Sequence, residues 1–321
     1  MAEIYDVIII GGGPAGLTAA LYNARARLKT LVLEKTKLGG QIALTHEIAN
    51  FPGAVKGAGE EPSGAELIAR MTEQAQRFGA EIIIGKEVTD LLLEGSLKRV
   101  SCSDGTIFQT RSIICANGAV PREIGCPGEI EFKGKGVSYC ATCDGAFFEE
   151  LEVYVVGGGN SAVEEALFLT SFARKVTLIQ NLDKLTASAI AIEQAKANDK
   201  IHYMYHTVVE AISGDGLVEA MTLRNTETNE TFVVEADDED GTFGIFVFIG
   251  YVPTTALYEG MLDLTDQGYI VTNDLLETSI SGVFVAGDIR PKLLRQVITA
   301  SGDGATAAFS AQRYLETNEL N

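Results

Sequence analysis

Tyr5-Asp-Val-Ile-Ile-Ile10, then Gly11-Gly-Gly-Pro-Ala-Gly16, then a small-residue stretch from Leu17 to about Ala26 decide how this chain folds. The apolar run reads as a buried strand, the glycines as a tight turn and the small residues as a helix. A second β-like run, Thr30-Leu-Val-Leu33, ends in Glu34 and completes a βαβ unit of about 30 residues. Gly11 suits the tight turn, Gly13 the close approach of a pyrophosphate, and Gly16 the packing of helix on strand. The helix amino terminus faces the phosphates with free N–H groups and a partial positive charge. The Glu34 carboxylate can accept hydrogen bonds from ribose hydroxyls.

The pattern returns at mid-chain. Leu151-Glu-Val-Tyr-Val-Val156 is a strand, Gly157-Gly-Gly-Asn-Ser-Ala162 a turn, Val163 to Ser171 a helix and Lys175-Val-Thr-Leu-Ile179 the second strand. Strand-like segments also lie at about Ala80–Ile84, Val88–Leu93 and Ser112–Cys115. Towards the end, Gly282-Val-Phe-Val-Ala-Gly-Asp288 reads as a buried strand meeting a glycine and an acid, before a Gly/Ala-rich helix from Gln296 to Tyr314. The fold class expected is α/β, with two dinucleotide-binding (Rossmann-like) domains, the second inserted into the first. Residues 1–117 and 247–321 would form one domain and residues 118–246 the other.

Composition narrows the function. A chain of 321 residues can bury two cores, and 46% hydrophobic with 21% charged residues is ordinary for a globular protein. The net charge of −19 argues against nucleic acid and anionic membrane surfaces as partners. No apolar run approaches the roughly 18 residues that span a bilayer. Five cysteines, an odd number, do not suit a disulfide-stapled secreted fold. The first strand starts almost at Met1, which leaves no room for a signal peptide, so the cytoplasm is the expected compartment.

Cys140-Ala-Thr-Cys143-Asp144 precedes the second βαβ unit. A CxxC can be half of a zinc site, but zinc needs two more ligands. Cys102, Cys115 and Cys126 are isolated, and the three histidines show no paired metal spacing. A redox pair is the better reading, because this spacing permits a reducible disulfide and a lowered thiol pKa. By itself Asp288 of Gly287-Asp288 reads more often as a helix-start residue. Together with the resemblance given next, it becomes the contact that separates FAD from nicotinamide cofactors at the first unit. An acid at the end of a strand can hold a ribityl hydroxyl, which a nicotinamide dinucleotide lacks.

With these residues in place, the sequence resembles the low-molecular-weight thioredoxin reductases over nearly its whole length. The matches are Gly11 to Gly16, Gly39-Gly-Gln41, Asn50-Phe-Pro-Gly53, Cys140 to Asp144, Gly157 to Ala162, Gly250 with Pro253, Gly287-Asp288 and Arg295-Gln296. The resemblance implies a homodimer that binds FAD and reduces thioredoxin. It implies FAD contacts at Gly11, Gly13, Pro14, Ala15, Gly16, Glu34, Lys35, Gly40, Gln41, Asn50, Gly118, Gly287, Asp288, Arg295, Gln296 and Val297. It also implies that Cys143 lies nearest the flavin, that Cys140 exchanges with thioredoxin and that Asp144 moves the proton, the exposures alternating by rotation of the small domain.

One stretch departs from that family. Where NADPH-dependent members carry His-Arg-Arg and a further Arg to clamp the 2′-phosphate, this chain has Gln180-Asn181-Leu182 and Thr186. Hydrogen bonds to charged groups are worth roughly 1.5–3 kcal/mol each. Losing two or three weakens NADPH by on the order of a hundred- to ten-thousand-fold or more. In this respect the chain resembles the flavin-containing, ferredoxin-dependent branch of the family that lacks the NADPH motif, so reduced ferredoxin is the expected donor. Arg290, Lys292 and Arg295, or Lys133 and Lys135, could then supply the local positive patch that an acidic ferredoxin needs. The alternatives are NADH or NADPH held by other contacts, an oxygen-using dithiol oxidase, and a redox sensor without catalysis.

Overall fold

The computed structural model describes residues 3–44, 48, 50–54 and 62–319, which divide into two compact units. One comprises residues 3–120 and 252–319 and the other residues 121–251. The sequence placed the crossings at 117/118 and 246/247; the chain passes between units at 120/121 and 251/252. Both crossings run through a short ribbon, Ala119–Pro121 paired with Tyr251–Pro253.

In the first unit a parallel sheet places strands in the order Glu81–Ile84, Thr30–Glu34, Ile4–Ile10, Ile107–Cys115. Ile107–Cys115 is longer than its apolar half suggests. Its end pairs with Val283–Val285, while its start pairs antiparallel with Lys98–Cys102, which pairs with Val88–Leu92. The helix Pro14–Arg25 buries Ala15, Ala19, Ala20 and Ala24 against Ala300, Ala307, Ala308 and Ala311 of the last helix, Val297–Glu319. Each methylene-sized group buried there contributes roughly 0.8 kcal/mol. The approach is close: a Cβ at Gly304 would lie 2.2 Å from the Ala15 carbonyl oxygen.

Several elements escaped the pattern reading, among them one helix and one strand of this unit. The helix Gly64–Arg77 begins in a capping box, Ser63 and Glu66 each bonding the other's backbone N–H, and the S-x-x-E spacing is its signal. Lys98–Cys102 is too charged and short to stand out, and only its pairing with Ile107–Cys115 makes it a strand.

The second unit repeats the plan. Its parallel sheet runs Ile201–Met204, Lys175–Ile179, Glu152–Val156, Gly244–Val247, Val137–Ser138. An antiparallel meander follows, Thr207–Ser213, Ala220–Asn225 and Thr231–Glu235. The helix Asn160–Leu169 packs Ala162, Val163, Ala166 and Leu169 onto Val153, Val155 and Val176.

Candidate functional site

The first glycine turn has the shape its residues demand. Gly11 sits at φ +110°, and a Cβ there would lie 2.4 Å from the Ala116 carbonyl oxygen. A Cβ at Gly16 would lie 1.9 Å from the Gly11 oxygen, whereas one at Gly13 would meet nothing within 4 Å. Gly11 and Gly16 are therefore closed by protein, and Gly13 opens onto space a pyrophosphate can take. Pro14 starts the helix, where its missing N–H costs nothing. Glu34 accepts hydrogen bonds from the backbone of Gly12 (2.8 Å) and Thr36 (3.0 Å). Gly39 N–H donates to the Gly12 oxygen at 2.8 Å, which brings Gly40 beside Gly13 with Gln41 exposed next to it. The Lys35 ammonium turns aside to Glu87, at 2.7 Å.

Other predicted residues converge on the same unit. A Cβ at Gly287 would lie 2.9 Å from that of Ala15, so the Gly287–Asp288 corner abuts the first turn of the helix. Asn50 Nδ2 donates to Gln296 Oε1 at 3.1 Å, joining two distant stretches, and Val297 packs into the cluster of Leu17, Ile42 and Ile68. Gly118, at φ +70°, has open space around its Cβ position. The Asp288 Oδ1 atom is buried and accepts no hydrogen bond from the described residues, with Lys292 Nζ at 3.9 Å. Burial pushes the Asp288 carboxyl up, against the pull of Lys292 and Arg295. A buried acceptor without a donor, beside an open phosphate turn, fits a cofactor that brings a ribityl hydroxyl and a pyrophosphate.

The second glycine turn is built on the same register. Ile10 faces Leu33, and Val156 faces Ile179, so Glu34 and Gln180 occupy equivalent positions. A Cβ at Gly157 would lie 2.4 Å from the Phe248 oxygen, and the space at Gly159 is open to 3.9 Å. Gln180 is 6% exposed and folds over Gly158, where an added Cβ would lie 2.3 Å from its Nε2. Its Nε2 donates to the Lys184 oxygen (3.2 Å), and its Oε1 accepts from Asn181 N–H (3.1 Å). Asn181 and Leu182 are exposed, and Thr186 is tied to the Gly158 oxygen. At 180–182 and 186 there is thus no cation for a 2′-phosphate, and Lys184 between them is exposed.

Cys140 and Cys143 are joined in a disulfide. Cys140 caps the single helical turn Ala141–Asp144, and Asp144 N–H donates to the Cys140 oxygen at 3.2 Å. Ser138 Oγ donates to Asp144 Oδ2 at 2.6 Å and accepts from Cys140 N–H at 3.0 Å. Tyr139 donates its phenol proton to Glu129 Oε1 at 2.6 Å, and Glu129 also accepts from Ile124 and Gly125 N–H. Lys133 Nζ lies 4.8 Å from the Tyr139 ring centre. The remaining cysteines are unsuited to exchange. Burial pushes the Cys115 thiol up to about 12 and Cys126 up to about 11, so neither is a thiolate near neutrality.

The family model for pyridine nucleotide-disulphide oxidoreductases matches residues 5–304. The thioredoxin reductase of Peptoclostridium acidaminophilum is 52% identical over 318 residues, covering 99% of each chain. The chain belongs to the thioredoxin reductase family. It is an oxidoreductase of the thioredoxin-disulfide reductase type, and the family binds FAD. The crystal structure of Lactococcus lactis thioredoxin reductase is 41% identical, with a TM-score of 0.76 and 98% and 99% coverage. A ferredoxin-flavin thioredoxin reductase from Clostridium acetobutylicum is 27% identical, with a TM-score of 0.53 and coverage of 99% and 100%.

These figures place the chain in the thioredoxin reductase family at large, and they do not support the narrower ferredoxin-dependent branch read from residues 180–186. The physical reason is that a phosphate clamp is a few side chains on one loop, while identity sums the whole chain. The basic cluster expected for ferredoxin is also engaged within the protein. Lys292 is 7% exposed and pairs with Asp303 at 2.7 Å, Arg290 reaches Asp303 at 3.4 Å, and Arg295 stacks on Tyr269. Lys133 and Lys135 remain exposed. Asp303 also accepts from Gly287 N–H at 3.0 Å and is a site residue the sequence reading missed. Its signal is an acid between two glycines in an otherwise Gly/Ala-rich helix. Ser138 was missed as well, and nothing in sequence distinguishes it from any strand serine.

Proposed function

We propose that this thioredoxin reductase passes two electrons from FAD to the Cys140–Cys143 pair and from there to the disulfide of thioredoxin. The observation that carries the reading is the disulfide sharing one helical turn with Asp144. FAD supplies a carrier that takes electrons singly or in pairs. Residues 11–16 would cradle its pyrophosphate, Glu34 its ribose and Asp288 its ribityl chain. Lys35, Gly40, Gln41, Asn50, Gly118, Gly287, Arg295, Gln296 and Val297 would line the remainder. We assign Cys143 to the flavin side, Cys140 to thioredoxin, and Asp144 to protonating the departing thiolate. In this reading residues 3–120 and 252–319 form the FAD domain and the working unit is a cytoplasmic homodimer.

The donor is a separate question, and the missing cations speak against NADPH. The reading supported best is a nicotinamide dinucleotide without the 2′-phosphate, NADH. The second glycine turn keeps its geometry, and Gln180, at the Glu34-equivalent position, has a second amide N–H to offer a ribose hydroxyl. Reduced ferredoxin is the second reading. It is favoured by the lack of any acid or clamp at 180–182, with Lys133 and Lys135 as the exposed cations that could meet it. The test is anaerobic flavin absorbance with oxidised thioredoxin present, adding NADH, NADPH and reduced ferredoxin in turn. Rapid bleaching by NADH supports the first reading, turnover with ferredoxin alone the second, and rapid reduction by micromolar NADPH overturns both. Failure of thioredoxin to reoxidise the reduced flavin overturns the function itself.

A further inference from the structure

We propose that Ser138 is a positioning residue for proton delivery at the disulfide, acting through Asp144. Ser138 ends the strand Val137–Ser138 and is 4% exposed. Its Oγ lies 2.6 Å from Asp144 Oδ2, 3.0 Å from Cys140 N and 3.3 Å from the Cys140 oxygen. A hydroxyl has one proton to give. It goes to the carboxylate, since charge-assisted bonds are the shorter and stronger ones. The hydroxyl oxygen then accepts the Cys140 N–H. One side chain therefore pins Asp144 to the backbone of the cysteine that exchanges, holding Oδ2 and leaving Oδ1 for the sulfur chemistry.

This inference rests on Asp144 being the proton carrier. In the exchange, the Cys140 thiolate attacks one sulfur of the partner disulfide. A Cys140–sulfur bond forms, the partner S–S bond breaks, and the departing sulfur keeps the electron pair and takes the proton of the Asp144 carboxylic acid. The Asp144 carboxylate then accepts the Cys143 thiol proton as Cys143 attacks Cys140 Sγ. The mixed disulfide breaks, and the second partner sulfur leaves with its electron pair and receives that proton from Asp144. The enzyme dithiol is oxidised by two electrons to the Cys140–Cys143 disulfide, and the partner disulfide is reduced to a dithiol. Ser138 enters at both transfers. Its hydroxyl holds Asp144 Oδ2 beside the Cys140 backbone, so the carboxyl gives and takes the proton from a fixed orientation.

The test uses holoenzyme reduced anaerobically by light, which makes the readout independent of the natural donor. Reoxidation of the flavin by oxidised thioredoxin is followed from about pH 5 to about pH 9. Ser138→Ala is expected to keep its flavin spectrum and to reoxidise about tenfold to a hundredfold more slowly. Its pH profile should shift from the wild-type position, because the proton carrier has lost the hydroxyl that fixes it. Ser138→Thr, which keeps the hydroxyl, should return the profile to the wild-type position. A slower Ser138→Ala enzyme with an unmoved profile means a merely structural serine and overturns the inference, as does a wild-type rate. If the alanine variant does not fold, Ser138→Cys, a weaker donor of similar shape, must shift the profile, and no shift overturns the proposal. Asp144→Asn separates the premises. A wild-type rate in that variant sinks the role of Asp144 and the inference with it; a slow, pH-flat rate beside an unmoved Ser138→Ala profile sinks the inference alone.

Discussion

Replacing Asn181 and Leu182 together by arginine should give this chain a grip on NADPH that the wild type lacks. Leu182 is 46% exposed and Asn181 is exposed too, so two guanidinium groups can stand at the mouth of the second glycine turn without repacking the core. Gln180 should be left in place, because it fills the space over Gly158. Two charge-assisted bonds to a phosphate are worth about 3 to 6 kcal/mol in a sheltered site. At exposed positions solvent screening argues for the lower end, about 3 kcal/mol, or roughly a hundredfold in dissociation constant. The assay is stopped-flow flavin reduction by NADPH and by NADH, with the apparent dissociation constant read from the concentration dependence. The preference should swing toward NADPH by about that factor, and the gain should shrink at high salt. An unchanged NADPH constant would show that the loop does not reach the 2′-phosphate, refuting the assignment of residues 180–182.

Gly13→Ala and Gly16→Ala should part company. Gly13 faces open space, so its variant should melt near the wild-type temperature but lose FAD in the absorbance ratio, while Gly16→Ala drives a Cβ to 1.9 Å from a backbone oxygen and should lose more than about 3 kcal/mol of stability. Cys143→Ser should purify yellow and reduce thioredoxin only at background, as measured by flavin reoxidation. Burial, with Glu164 second, pushes the Glu165 carboxyl from 4.5 to about 7. The folded state therefore holds this proton more tightly than the unfolded one, and stability is lost as pH rises from about 4.5 through about 7. Glu165→Gln should raise stability at about pH 8 by up to about 3 kcal/mol, seen as a higher melting temperature, and change it little at about pH 4.

Both glycine turns, the disulfide pair and the inserted order of the two units were legible because each depends on local pattern. A strand before Gly11 and a helix after it leave a phosphate turn few other shapes, and CxxC spacing alone brings two sulfurs within bonding reach. Lys98–Cys102 and the meander from Thr207 to Glu235 were not legible, because their strands owe their existence to partners rather than to their own periodicity. The Arg290 to Arg295 cluster misled for a related reason. A run of cations reads as a surface patch until Asp303, nearly two turns into the last helix, is seen to neutralise it.

By itself the sequence determined the chemistry on offer: a phosphate turn, an acid to follow it, a redox pair, and a second turn stripped of its cations. Those are properties of residue type at short spacing, and backbone sterics with sulfur and carboxylate chemistry suffice to read them. Tertiary structure alone decided which polar groups meet. It laid Gln180 over Gly158, left Asp288 Oδ1 buried without a donor among the described residues, and set the Ser138 hydroxyl between Asp144 and Cys140. Such contacts depend on hydrogen-bond distances of about 3 Å between atoms carried by separate strands and helices. Sheet register and helix packing set those distances, and no spacing along the chain encodes them.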